Sequence, residues 1–261
     1  MAWAQNVWLD PLRIPIASIA DGAARLRAIQ RNWHLHAIGS HRRAALIAAR
    51  LPHVSAKPLV FPGPAPVAPL GAWTLLDPAT IVAARRCASP MPDGEWRFVE
   101  DRAGPPNRAY LKLWEALTRL GARPGPHDLC LDLGASPGGW TSVLHGLGAR
   151  VIAVDKAPLD PAVAALSRVE WRGTSAFALA PEDVPPVDWL FSDVACYPAR
   201  LLRLVERWIA SGRVGRFVCT IKLQGTTDHD AVGAFAAIPG ASVLHLFHNK
   251  HELTFMLPGP G

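Results

Sequence analysis

The sequence predicts an α/β protein in which a mostly parallel seven-stranded sheet occupies residues 101–261 and a small α+β domain occupies residues 1–100. Three observations carry this. From residue 105 onward, short apolar runs alternate with patterns of helical period, the arrangement that builds parallel sheets through crossover helices. One of those runs passes directly into a glycine-rich turn at 134–139 and then a helical pattern. A proline-dense stretch over 57–69 forbids helix and central strand alike, so within the N-terminal part it reads as a connector or an edge segment.

Taken in order, the N-terminal part carries amphipathic helical patterns at 17–31 and 41–51, the second flanked by His41, Arg42, Arg43 and Arg50. Residues 81–84 and 96–100 are short strand candidates, and Ser89 to Gly94, Ser-Pro-Met-Pro-Asp-Gly, has the chemistry of a turn between them. In the C-terminal part, strands are expected at 129–132, 150–155, 169–172, 187–193, 216–222, 242–248 and 253–257. Helices are expected at 109–120, 138–147, 198–211 and 229–237. The last two strands have no helix between them, which predicts an antiparallel hairpin closing an otherwise parallel sheet.

Half of the 261 residues are apolar, enough for a sizeable core, and the net charge of +6 with a pI near 9.5 suits a polyanionic partner such as RNA. Cys87, Cys130, Cys196 and Cys219 stand singly, without metal-ligand or disulfide spacing, so no zinc site is expected and a reducing, cytoplasmic compartment fits. No apolar run is long enough to span a membrane and no secretory signal pattern opens the chain, which predicts a soluble, unprocessed protein, read as a monomer. Lysine is scarce: Lys57, Lys112, Lys156, Lys222 and Lys250 are the only ones, so the place of each matters.

The turn runs Asp132 to Thr141, Asp-Leu-Gly-Ala-Ser-Pro-Gly-Gly-Trp-Thr. Its D-x-G-x-x-x-G-G spacing is not the G-x-G-x-x-G of dinucleotide enzymes, which set a pyrophosphate against bare backbone amides. A sulfonium cofactor carries no phosphate and tolerates Asp132 at such a turn. Gly134 allows the sharp turn, Gly138 and Gly139 let the helix begin close by, and Asp155 ends the next strand, where a carboxylate can accept from both hydroxyls of an adenosine ribose.

These residues resemble the FtsJ-like family of ribose 2′-O-methyltransferases and, within it, the M-type bacterial large-subunit (23S) ribosomal RNA methyltransferases. The similarity covers roughly residues 88–257 and includes Ser89 to Trp96 and Gly104 to Leu113, Gly-Pro-Pro-Asn-Arg-Ala-Tyr-Leu-Lys-Leu. It implies a Rossmann-like methyltransferase fold, S-adenosyl-L-methionine as cofactor and an RNA substrate, with ribosomal RNA foremost. It also implies a Lys-Asp-Lys-Glu set, matched here by Lys112, Asp193, Lys222 and Glu252, and cofactor contacts from Asp132, Gly134, Ser136, Pro137, Gly138, Gly139, Trp140, Asp155 and Asp193. A ribose hydroxyl is a poor nucleophile, so transfer needs in-line alignment and a route for its proton. Whether Lys222 takes that proton or only positions the hydroxyl is left open.

Two features depart from the family pattern. Ser175 stands where an acidic residue usually meets the adenine, and residues 1–100 are shorter than the N-terminal RNA-binding region of M-type members. A 2′-O-methyltransferase acting on another RNA, or a catalytically silent RNA-binding protein retaining the fold, therefore stay as alternatives. Arg200, Arg203 and Arg207 recur at helical spacing, as phosphate contacts or as a solvated helix face. Trp3, Trp8, Trp33, Trp73 and Trp96 serve core packing or base stacking.

Overall fold

The structure, a computed structural model, describes residues 2–259. The chain divides into two compact units, one made of 4–59 and 65–97, the other of 2–3, 60–64 and 98–259.

The smaller unit is built on β1 (Trp8–Leu9), β2 (Leu12–Pro15), α1 (Ile19–Ile29), β3 (Trp33–Leu35), α2 (His41–Ala48), β4 (Gly71–Asp77), β5 (Thr80–Ala84) and β6 (Arg86–Cys87). β2, β5, β4 and β3 form a sheet in that spatial order, with β3 parallel to β4, and β1 pairs with β6. Ser18 caps α1, its hydroxyl accepting from the Asp21 amide at 3.1 Å. Leu26 and Ile47 of the two helices close over Trp33, Trp73 and Ile81, all within one buried cluster. Trp33, Trp73 and Trp96 are therefore core residues, at most 4% exposed, whereas Trp3 of the larger unit is 44% exposed.

Two elements of this region differ from expectation. Residues 96–100 hold only an isolated bridge at Phe98 and no strand. The alternation that suggests one is satisfied by burial of Trp96 and Phe98 in a segment turned by the Arg97 amide donating to the Glu95 carbonyl. Conversely, β4 is not among the expected strands, because Gly-Ala-Trp-Thr-Leu is buried on both faces and shows no alternation. The expected turn at 89–94 is present: Asp93 has φ +52° and its carboxylate meets His34 Nε2 at 2.9 Å and His36 Nδ1 at 2.8 Å.

The larger unit contains α3 (Tyr110–Leu120), β7 (Leu129–Leu133), α4 (Gly139–Gly146), β8 (Arg150–Val154), α5 (Pro161–Ala164), β9 (Val169–Arg172), β10 (Val187–Ser192), α6 (Pro198–Ala210), β11 (Val214–Lys222), α7 (His229–Ala237), β12 (Ser242–Leu244) and β13 (Glu252–Leu257). Its seven strands lie in the order β12-β13-β11-β10-β7-β8-β9. The five from β11 to β9 are parallel, and β13 runs antiparallel to both β11 and β12. This is the Rossmann-like, mostly parallel seven-stranded sheet that the sequence predicts, with its antiparallel closing hairpin.

Helices on such a sheet must turn an apolar stripe inward. In α6 the stripe is Leu201, Leu204, Val205 and Trp208, each at most 3% exposed and each contributing about 1.5–3 kcal/mol by burial. Arg203 is exposed, while Arg207 donates to the Leu179 carbonyl at 2.8 Å and Arg200 sits 3.8 Å over the Phe177 ring. The expected strand at 242–248 stops at Leu244. Beyond it, the amides of Phe247 and His248 donate to the Glu115 carboxylate, so that segment leaves the sheet.

From β7 the chain builds outward through β8 and β9, then returns to place β10 on the other side of β7. The connections leaving β7 and β10 therefore diverge, opening a crevice at the carboxyl ends of these strands. Gly134 follows one of them and Asp193 the other.

Candidate active site

Gly134 adopts φ +80°, and a Cβ there would lie 2.7 Å from the Val194 Cα, so the two diverging turns pass too closely for any side chain. The same crevice holds a cavity of about 230 Å³ lined by Gly134, Val154, Asp155, Ser175, Phe177 and Arg200 among others. Asp155 Oδ2 accepts from the Ser136 amide at 3.1 Å and Oδ1 from the Ala157 amide at 2.9 Å. A carboxylate has about four lone-pair directions, so both oxygens keep capacity to accept from a diol. Ser175, the residue in place of an acid, is in the wall and presents a hydroxyl.

The other predicted contacts shape this crevice from behind. Asp132 is 1% exposed; its Oδ2 accepts from the Thr141 hydroxyl at 2.7 Å and its Oδ1 is buried without a hydrogen-bond partner. Burial pushes its carboxyl up to about 7, opposed by the Thr141 bond and assisted by the negative charge of Asp193 and Asp155. Ser136 and Pro137 form the turn, with the Ser136 hydroxyl donating to the Pro158 carbonyl at 2.8 Å. Gly138 caps α4 with φ +115°, Gly139 begins the helix against Asn107, and Trp140 donates from Nε1 to the Ala109 carbonyl at 2.9 Å.

The four residues of the Lys-Asp-Lys-Glu set converge. Lys112 Nζ donates to both oxygens of Asp193 at 3.0 Å and to Glu252 Oε1 at 2.9 Å. Lys222 Nζ donates to the Asp193 backbone carbonyl at 2.5 Å and lies 3.2 Å from Asp193 Oδ1. Strand order explains the meeting. Asp193 follows β10, Lys222 ends the adjacent β11, and Glu252 opens β13 directly opposite Lys222 in the antiparallel register. Lys112 arrives from α3, whose residues 110–118 are all buried.

Two ammonium groups and two carboxylates leave the cluster formally neutral, which is how charge persists with side-chain exposures of 11–27%. The division within it is unequal. Lys112 is held by two carboxylates and is 11% exposed; Lys222 is 27% exposed and, among the described residues, pairs with Asp193 alone, so its ammonium keeps a donor for a further acceptor. Among the described residues no group of His, Cys, Asp or Glu is placed to hold a metal ion, and no helix is long and apolar enough to cross a membrane.

The FtsJ-like methyltransferase family matches residues 105–250, more than half of the chain and the whole span from Asn107 to Lys222. The chain belongs to the FtsJ-like methyltransferase family. It is 37% identical over 157 residues to ribosomal RNA large subunit methyltransferase M of Halorhodospira halophila, covering 57% of this chain and 46% of that protein. To the Azoarcus protein of the same name it is 38% identical over 188 residues, covering 66% and 50%. The chain thus spans about half the length of the curated relatives it matches. Among solved structures, an rRNA methylase from Streptococcus thermophilus is 16% identical with a TM-score of 0.42, covering 56% of this chain and 95% of that one.

In this FtsJ-like chain several residues that line the crevice or brace the segment leading to Glu252 are not singled out by sequence reasoning. Glu115, fully buried, accepts from the Phe247 and His248 amides at 3.0 and 3.1 Å, from His248 Nδ1 at 2.9 Å and from Arg119 Nε at 3.0 Å. It stands three residues after Lys112, hence on the same helix face, and an acid inside an otherwise apolar helix is the available signal. Phe177 and Val194 give none, because their part depends on which turns the sheet brings together.

Proposed function

We propose that this chain transfers the methyl group of S-adenosyl-L-methionine to a ribose 2′-hydroxyl of RNA, in the cytoplasm and as a monomer, with large-subunit ribosomal RNA as substrate. The observation that carries this reading is the meeting of Lys112, Asp193, Lys222 and Glu252 beside the crevice at Gly134 and Asp155. The names of the M-type relatives support the choice of RNA. Buried Cys130, Cys196 and Cys219, all free thiols, support a reducing compartment.

The crevice suits the cofactor on its own chemistry. Asp155 offers acceptors to two ribose hydroxyls, Phe177 and Val154 flank a space for a flat base, and Ser175 offers a hydroxyl to the base edge. Bare backbone at Gly134 permits close approach of the methionine end. When bound, the cofactor supplies an electrophilic methyl group.

The protein's own part is alignment and proton handling. Asp193 fixes Lys222 through a backbone carbonyl and a carboxylate, so Nζ is held in one place instead of sweeping the crevice. From that place it meets the incoming hydroxyl as a donor that orients the oxygen, or, once it has given up a proton, as the acceptor of the hydroxyl proton. Lys112 and Glu252 keep Asp193 in position and balance its charge.

Residues 1–100 are proposed to contribute RNA binding. Exposed Arg42, Arg85 and Arg86 support this, the last two beside a cavity of about 570 Å³. Mass spectrometry of ribosomal RNA nucleosides from cells lacking the gene should show one 2′-O-methylated nucleoside lost. An unchanged 2′-O-methyl profile across all RNA classes would sink the reaction itself.

A further inference from the structure

The crevice at Gly134 is rich in donors and short of acceptors. Among the described residues Asp155 is the one carboxylate lining its cavity of about 230 Å³, and the proposed reading gives that carboxylate to the ribose diol. The other polar side chains in the wall are the Lys156 ammonium, the Ser175 hydroxyl and the Arg200 guanidinium. Lysine and arginine donate and never accept. Ser175 Oγ accepts from the Phe177 amide at 3.3 Å, which leaves the hydroxyl hydrogen to be donated. A base placed beyond the ribose is therefore met by three side-chain donors, with the Ser175 oxygen as the single side-chain acceptor.

Arg200 is the best placed of the three. It stands in the first turn of α6, and its Cζ lies 3.8 Å from the centroid of the Phe177 ring. The negative face of the ring attracts the guanidinium and holds it at the wall. No carboxylate pairs with Arg200 among the described residues, so its fork of N–H groups stays available. The two kinds of purine present different edges to such a fork. A 6-aminopurine offers an acceptor at N7 beside a donor at position 6, which a guanidinium cannot answer. A 6-oxopurine offers acceptors at both O6 and N7, the pair that an arginine binds in bidentate fashion. The crevice is open to solvent on one side, so hydrogen bonding decides between these edges and shape does not.

We infer that Arg200 reads the base of the bound nucleoside through its acceptors, so that this chain does not select the 6-amino group of the cofactor. The inference rests on the proposed assignment of the crevice to S-adenosyl-L-methionine. Calorimetry on the full chain tests it with two forms of the demethylated cofactor, S-adenosyl-L-homocysteine and its 6-oxo analogue S-inosyl-L-homocysteine. The unaltered protein should bind the inosyl compound at least as tightly as the adenosyl one. Arg200→Ala should weaken the inosyl compound by at least about fivefold, the lower end of the discrimination a bidentate arginine gives between bases, and the adenosyl compound by less, which reverses the order. Ser175→Asp adds a carboxylate that accepts from the 6-amino group and opposes O6, so it should reverse the order as well. Tighter binding of the adenosyl compound by the unaltered protein, or an Arg200→Ala variant that weakens both compounds equally, overturns the inference and leaves the cofactor assignment standing. No binding of either compound would remove the cofactor assignment and the inference with it.

Discussion

The two units handle charge in opposite ways. In the larger unit Lys112, Glu115 and Asp132 are buried, and the first two are held by several partners each. In the smaller unit the buried polar groups are the uncharged Thr74 and Ser89, while ion pairs such as Arg97–Glu95 lie outside, with side chains 62% and 38% exposed. Taking a charge out of water costs several kcal/mol unless partners replace the solvent. A fold has no reason to meet that cost for stability alone, since surface pairs contribute at most about 1 kcal/mol. The contrast supports the proposed placement of the chemistry in the larger unit.

The sharpest way to break this comparison is at Lys222. Lys222→Ala should lower methyl transfer by about 10²–10⁴-fold, with calorimetric binding of S-adenosylmethionine retained. Lys222→Arg keeps the positive charge without a titratable amine. Near-normal single-turnover rates in this variant would exclude Lys222 as proton acceptor and leave orientation as its role; a loss as large as that of Lys222→Ala favours the acceptor.

Lys112→Ala tests burial of charge directly. It leaves Asp193 and Glu252 facing each other without their shared cation, and urea unfolding should show a loss of roughly 3 kcal/mol, near the lower limit for a broken buried pair because the site is partly solvated. Arg97→Ala in the smaller unit should change stability by no more than about 0.5 kcal/mol. Equal effects at the two positions would erase the distinction drawn between the units.

Asp155→Ala removes a carboxylate whose second acceptor capacity is directed into the crevice. It should weaken S-adenosylmethionine binding by about 1–3 kcal/mol in calorimetry, the usual range for charge-assisted hydrogen bonds. Unaltered affinity would dissociate the 230 Å³ cavity from the cofactor.

A further effect concerns acidity. Asp132 is pushed up from 3.8 to about 7 in the folded protein, so the folded state binds a proton that the unfolded state releases between those values. The stability this proton contributes is complete below about pH 4 and is lost as pH rises toward 7. Asp132→Asn stays neutral throughout, so its Tm relative to the unaltered protein should climb from pH 4 to pH 7 and then level. A difference that is flat with pH would mean that the carboxyl is not held protonated.

The strands of the larger sheet, its closing hairpin and the glycine turn are legible in the chain because each depends on local periodicity and on backbone freedom at single residues. Asp193 and Lys222 can likewise be placed at strand ends, since an apolar run of strand length announces where it stops. Other features are hidden for a common reason. β4 is buried on both faces and so lacks alternation; residues 96–100 have alternation but pair only at the isolated bridge of Phe98. The segment after Leu244 leaves the sheet because a glutamate more than a hundred residues earlier captures its amides. Lys112 and Glu252 are separated by 140 positions and meet only because β13 inserts beside β11 in one register, opposite Lys222. Period and turn chemistry are carried by neighbouring residues, and the chain alone settles them. Which charged side chains face one another is decided by strand order and register, and these are set by the packing of the whole sheet.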